Sequence, residues 1–334
     1  MREHDIIVIA ASAGGVEALM RLCGGLPADL PAAVFVVQHV SPASPSAMPQ
    51  LLGRSGPLPA CHPADGEVFR RGQIYVAPPD RHLLVTPDRV LLRRGPQENR
   101  TRPAADPLFR SAAVHHGPSV IGLVLTGLLD DGTAGLIAVK RCGGISLVQD
   151  PDDALWPDMP RNALLRDSVD QRASLAELPA LLARLAREPA GPVLSVPDDV
   201  VLEARIAEQE STVSQGTTVG TPSRLSCPQC GGVLNEIEEP KSVRFRCQTG
   251  HAYGPESLAA AQVDGLEHAL AAAVRTHRER VVLFRRMADA ARARGMKSAA
   301  ARWESKATEA EDSAALIGGA IFALKEATEP EPGG

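Results

Sequence analysis

Three kinds of polar residue stand where apolar runs end. Ser12 follows the run in "IIVIAASAGGVEALMRL", His39 closes "AVFVVQHV", and Asp130 and Asp131 lie just beyond the run in "VIGLVLTGLLDDGTAG". A serine hydroxyl is a poor nucleophile until a base takes its proton. Histidine can be that base, and a carboxylate then fixes the ring's tautomer and stabilises the imidazolium. Each residue also has an ordinary role. Ser12 can cap a helix, His39 can be a satisfied strand-end side chain, and the aspartates can hold a turn. Their shared place at strand ends favours the chemical reading, because open parallel sheets bind ligands at that edge.

The small residues around Ser12 raise a rival. A dinucleotide fingerprint needs Gly-x-Gly-x-x-Gly and an acid at the end of the second strand. Here the first two glycine positions are Ala10 and Ser12, and the second strand ends in Gln38-His39. No P-loop pattern is present either, so phosphate binding is set aside. A helix beginning at about Gly14 would instead aim its free amides and positive end toward an oxyanion beside Ser12.

A second constellation lies far downstream. "CPQCGG" and "FRCQTGH" space their ligands as Cys227-x2-Cys230-x16-Cys247-x3-His251. Three thiolates and one imidazole satisfy tetrahedral zinc and leave no open position, which is the pattern of a structural site. The rival is a redox dithiol, but the thioredoxin-like βαβ setting is missing. Cys23, Cys61 and Cys142 are scattered and read as small core residues or inert thiols.

These residues need elements to position them. Residues 1–190 alternate Val/Ile/Leu runs with helical patterns, including a hairpin over "HLLVTPDRVLLRR". That alternation predicts an α/β fold, a doubly wound and mainly parallel sheet covered on both faces. Residues 191–224 are polar and rich in Ser, Thr, Gly and Pro; they read as a linker, with a short helix around 198–209 as an alternative. Residues 225–255 form a zinc-ribbon-like module, and 256–328 an α-helical hairpin bent at "RARGM". Apolar residues at 296, 300, 303, 307, 310, 314, 317, 321 and 324 give its second arm a heptad seam. Residues 275–297 carry eight Lys/Arg against two acids, and 302–329 three against six. The arms can complement each other's charge, or the hairpin can present a docking surface to another helical protein.

The chain has 334 residues, 44% hydrophobic and 22% charged, with a formal net charge of −5. That balance argues against broad nucleic-acid binding. No apolar run nears the about 18 residues of a membrane span, and "MREHD" does not open a signal peptide. The expected setting is cytoplasmic, with no membrane insertion.

"IAASAGGVEAL", "VVQHVSP", "IYVAPPDRHLLV", "DPLFRSAA", "LTGLLDDGTAGL" and "DMPRNAL" together resemble the catalytic domain of the CheB protein-glutamate methylesterases of bacterial chemotaxis. The motifs occur in family order over nearly all of residues 1–180. The resemblance implies a catalytic triad of Ser12, His39 and Asp131, the aspartate being the one immediately before Gly132 rather than Asp130. It implies hydrolysis of glutamate methyl esters on the cytoplasmic helices of methylated chemoreceptors, with glutamine deamidation as a related activity. Backbone amides near Ala13 and Leu128 would hold the oxyanion, and no cofactor would be needed for catalysis. The family usually has a glycine where this chain has Leu129, and commonly a glycine where it has Asp167. Arg93, Arg94, Arg100 and Arg102 in "RRGPQENRTRP", with Arg161, read as a solvated basic surface or as recognition of acidic residues beside a methylated glutamate. The well-known form of these enzymes carries an N-terminal phospho-receiver domain. Here the first strand begins at about residue 5, so the expectation is a stand-alone esterase regulated in another way. The competing class is a non-catalytic or retargeted signalling adaptor that uses the esterase fold as a binding module.

Overall fold

A computed structural model describes residues 3–43, 45–167, 169–208, 219–239 and 241–328. Its main sheet is built from runs that are buried from end to end: β1 (Ile6–Ala11), β2 (Ala33–Gln38), β4 (Ile74–Val76), β7 (Val120–Val124) and, but for its first residue, β8 (Ile145–Gln149). Short strands β3 (Ala60–Cys61) and β9 (Gln171–Ala173) complete its edges, in the order β3-β4-β2-β1-β7-β8-β9. Every pairing in this sheet is parallel. The expected hairpin is β5 (His82–Val85) against β6 (Val90–Arg93) in antiparallel register.

Side chains alternate between the two faces of β1, and both faces are covered. Ile7, Ile9 and Ala11 join a core with Leu19 and Leu22 of α1 (Gly15–Gly24), Leu52 of α2 (Met48–Ser55) and Leu178 and Leu182 of α6 (Leu178–Leu185). Ile6, Val8 and Ala10 join the opposite core with Phe109 of α3 (Ala105–His116), Leu136 of α4 (Thr133–Arg141) and Met159 of α5 (Asp158–Arg166). The chain moves outward from β1 on one side through β2 and on the other through β7. The loops after β1, β2 and β7 therefore meet at the switch point of the sheet.

The segment read as a linker contains the short helix allowed for around 198–209, and that helix is packed rather than free. Asp198–Glu208 forms α7, which buries Val200, Glu203, Ala204 and Ala207; residues 209–218 lie outside the described residues. Strands β10 (Thr221–Ser226), β11 (Val233–Glu239), β12 (Ser242–Cys247) and β13 (Ala252–Tyr253) form a separate four-stranded antiparallel sheet. Residues 1–258 make one compact unit, so the Cys-rich module packs within the same body as the α/β sheet.

What joins them is a buried ion cluster. Arg244 bonds both oxygens of Glu203 at 2.8 and 2.9 Å, and also Glu239 at 2.8 Å. Arg246 lies 2.8 Å from Glu203 and 3.0 Å from Glu98, whose other oxygen takes Arg110. Three arginines face three glutamates, so charge is balanced where water is excluded. Burial opposes the Glu203 charge, but Arg244, Arg246 and Arg110 hold its carboxyl well below the usual range.

The second unit begins at residue 259. Helices α8 (Pro255–Ala293) and α9 (Lys297–Thr328) are joined at the left-handed Gly295. Phe284 and Trp303 have ring centroids 5.6 Å apart, and Ala300, Ala307 and Ala310 of the heptad seam are buried. Basic and acidic arms pair through Arg285–Glu311 at 2.7 Å and Arg292–Glu304.

Candidate active site

The loop after β1 turns at Gly14, whose φ of 69° lies in the left-handed region that glycine favours. Ser12 donates its amide to Thr126 O at 3.0 Å, tying the turn to the loop after β7. Gln38 Nε2 donates to Ser12 O at 2.8 Å and to His39 O at 3.1 Å, so one carboxamide holds the serine turn and the histidine turn together. Gln38 was not singled out from sequence, although it sits in the "QH" pair that ends β2.

Ser12, His39 and Asp131 converge, where the strand-end pattern alone left Asp130 and Asp131 open. His39 Nδ1 lies 3.1 Å from Ser12 Oγ, and His39 Nε2 lies 2.6 Å from Asp131 Oδ2. With Asp131 accepting from Nε2–H, Nδ1 keeps its lone pair toward the Ser12 hydroxyl. The His39 side chain is 19% exposed and that of Asp131 only 2%, so the line runs from solvent into the core. Asp131 is densely supported: Oδ2 also accepts from Ala105 N at 2.7 Å, and Oδ1 from Asn99 Nδ2 at 2.9 Å and Gly132 N at 3.0 Å. Burial works against its charge, yet the His39 partner and these amides together hold the carboxyl below the ordinary carboxylate range.

Asp130 points elsewhere. It accepts from Ser257 Oγ and from Glu256 N, at the start of α8. Burial and the Glu256 carboxyl push it up to about 7.

Among the described residues, the amides of Ala13 and Leu128 have no hydrogen-bond acceptor. Both flank Ser12: Ala13 follows it, and a Cβ on Gly127 would fall 2.8 Å from the Ser12 Cβ. Leu129 takes φ 64°, the conformation a glycine would supply, and Asn162 Nδ2 holds its carbonyl at 2.8 Å. Leu155 and Trp156 are exposed and stand over the turn, within 3.2 Å and 3.1 Å of where a Gly14 Cβ would be.

The arginines divide. Arg102 reaches Asp80 at 2.6 and 2.9 Å and donates to Gly95 O, so its guanidinium is occupied inside the protein rather than offered to a substrate. Arg93 pairs with Asp65 and Arg94 with Asp80. Arg100 and Arg161 are exposed, the latter 4.0 Å from Asp158. Sequence shows a basic stretch and not which of its charges are already matched.

In the Cys-rich module, one ligand atom from each of Cys227, Cys230, Cys247 and His251 lies within 4.8 Å of all the others. Cys230 Sγ is 3.7 Å from Cys247 Sγ, and His251 Nδ1 is 3.5 Å from Cys247 Sγ and 3.7 Å from Cys227 Sγ. Zinc–sulfur bonds of about 2.3 Å at tetrahedral angles put sulfurs about 3.8 Å apart, so the donor set fits that ion.

Sheet and site together define an α/β protein with a serine, histidine and aspartate hydrogen-bonded in series at the carboxyl edge of its strands. Residues 7–182 match the family model described as CheB methylesterase, and the chain belongs to that family. A protein-glutamate methylesterase/protein-glutamine glutaminase of Geobacter metallireducens is 38% identical over 54% of this chain and 50% of its own length. A putative protein-glutamate methylesterase/protein-glutamine glutaminase of Leptospira interrogans is 34% identical, over 54% of this chain and 95% of its own. The crystal structure of the Thermotoga maritima CheB methylesterase catalytic domain is 30% identical, with a TM-score of 0.52, covering 54% of this chain and 98% of that one. The chain spans about half the length of most of the curated relatives it matches.

Proposed function

We propose that this chain is a cytoplasmic serine hydrolase that removes methyl groups from glutamate methyl esters on chemoreceptor helices or a similar methylated signalling protein. The observation that carries the reading is His39, bonded at once to Ser12 and to Asp131. His39 Nδ1 takes the Ser12 proton as Oγ bonds to the ester carbonyl carbon. The carbonyl oxygen becomes an oxyanion, which the Ala13 and Leu128 amides would receive. His39 returns its proton to the methoxy group, which leaves as methanol. Water, activated by the same ring, then cleaves the glutamyl-serine ester and restores Ser12. An amide at the same position would lose ammonia by the same steps, and the related proteins' names include a glutaminase. The exposed Leu155 and Trp156 suit an apolar helix surface around the ester, and the exposed Arg161 suits acidic neighbours.

Residues 1–190 would form the esterase domain, residues 225–255 a module bearing structural zinc on Cys227, Cys230, Cys247 and His251, and residues 256–328 a helical hairpin. On that hairpin Val282, Leu283, Leu316 and Phe322 are exposed, a surface another helical protein could bury. The deciding experiment is methanol release from methylated receptor by the wild type and by Ser12→Ala. Loss of release in the variant supports the nucleophile. Equal rates overturn it, and no release by either favours a binding module on the esterase fold.

A further inference from the structure

Asn99 sits between the catalytic aspartate and the Cys-rich module. It is 7% exposed and takes φ 48°, a left-handed conformation that asparagine tolerates better than most residues. Its Nδ2 donates one hydrogen to Asp131 Oδ1 at 2.9 Å and the other to Asp106 Oδ2 at 2.8 Å. Its Oδ1 accepts from Gly254 N at 2.9 Å, and its own amide donates to Ala252 O at 2.8 Å. Both hydrogens of the side-chain amide are therefore used toward the acids, and its oxygen and the backbone amide toward the module. The Gly254 amide matters for direction: a donor on the Oδ1 side keeps the Nδ2 side facing the carboxylates.

Residues 252–254 follow His251 directly, and β13 pairs with the Cys247-bearing β12. Ala252 bridges in parallel to Glu98, so the module adds a short strand partner to the loop that carries Asn99. The approach is close enough that a Cβ on Gly254 would fall 1.9 Å from Asp130 Oδ2. None of residues 219–258 lies within the stretch that matches the family model, 7–182.

We propose that Asn99 is a positioning residue for Asp131, and that the Cys-rich module holds Asn99 in place, so that the module completes the active site from behind. This rests on the reading of Ser12, His39 and Asp131 as the esterase triad. Misplacing a reacting group by about 1 Å can cost about 100-fold in rate. Loss of the module's grip should therefore be read at Ser12.

The test uses the full chain and the rate at which a fluorophosphonate labels Ser12, followed from pH 6 to pH 8.5. Asn99→Ala is expected to slow labelling about 10- to 100-fold. Asn99→Asp puts a third carboxyl against Asp131 and Asp106 and regains a donor only when protonated, so its deficit should shrink as pH falls. Equal deficits for both variants at every pH overturn the positioning role. Cys230→Ser, which breaks the module's ligand set, should slow labelling and speed amide hydrogen exchange in residues 97–101. Combined with Asn99→Ala it should add little, since both act through one link. Full additivity, or normal labelling in Cys230→Ser together with lost metal, overturns the module's part. A wild type that resists labelling would instead sink the esterase reading itself.

Discussion

Gly15 faces Gln38 so closely that a Cβ on Gly15 would fall 2.1 Å from Gln38 Oε1 and 2.8 Å from the Ala11 Cβ. The carboxamide cannot retreat without releasing Ser12 O and His39 O. Gly15→Ala should therefore cost about 1–3 kcal/mol of stability through the displaced hydrogen bonds. Its esterase rate should fall at least tenfold at temperatures where the variant is folded. Denaturant melts and methanol release, measured on the same preparation, separate the two effects.

Leu129 holds a backbone conformation that costs a branched residue roughly 1–2 kcal/mol. Glycine would remove that strain and lose about 0.5–1 kcal/mol in chain entropy. Leu129→Gly should leave stability unchanged or raise it by up to about 1 kcal/mol. A clear loss on chemical denaturation would mean that the Leu129 side chain contributes packing that outweighs its backbone strain.

Glu203 is 1% exposed and faces Arg244 and Arg246. Removing one member of a buried ion cluster leaves the others uncompensated, at about 3–5 kcal/mol. Glu203→Ala should lose that much by urea titration, and Glu203→Gln, which keeps its shape and part of its hydrogen bonding, less.

Asp130 is pushed up to about 7 by burial and Glu256, and Asp106 to about 8 by burial and the Asp131 charge. In an unfolded chain both titrate near about 3.9. The folded state thus keeps protons that the unfolded state releases. Their contribution to stability is complete below about pH 4, declines as pH rises, and levels off beyond the folded values. Between pH 5 and pH 8.5 the melting temperature should fall. Asp130→Asn, which imitates the protonated acid, should flatten part of that slope; a slope unchanged by this substitution would remove Asp130 as its source.

The sheet and the placing of Ser12, His39 and the Asp130–Asp131 pair at one edge were legible because buried parallel strands leave a plain signature; the choice of Asp131 over Asp130 came from the family resemblance. Continuous Val/Ile/Leu runs mark the strands, and polar residues just past them mark the functional edge. Asn99 and Glu203 carried no such mark. Asn99 lies in "QENRTRP", where the arginines draw attention, and its role depends on Asp131 and Gly254, 32 and 155 residues away. Glu203 belongs to a helix flanked by polar, Pro- and Gly-rich sequence, so its segment reads as a connection. The partners that let it be buried, Arg244 and Arg246, alternate along β12 as ordinary exposed strand residues would. Pairing between distant charges is a tertiary property, and local pattern does not encode it.

The ion cluster also has a consequence for the order of synthesis. Glu98 and Arg110 leave the ribosome well before Glu203, Arg244 and Arg246, and at about 5–20 residues per second the interval is on the order of ten seconds. During that interval the α/β sheet can collapse around its apolar strands, but Arg110 has Glu98 and Asp106 without Glu203, and Asn99 has no Gly254. A nascent chain thus carries Ser12, His39 and Asp131 before Gly254 exists to hold Asn99 against that aspartate.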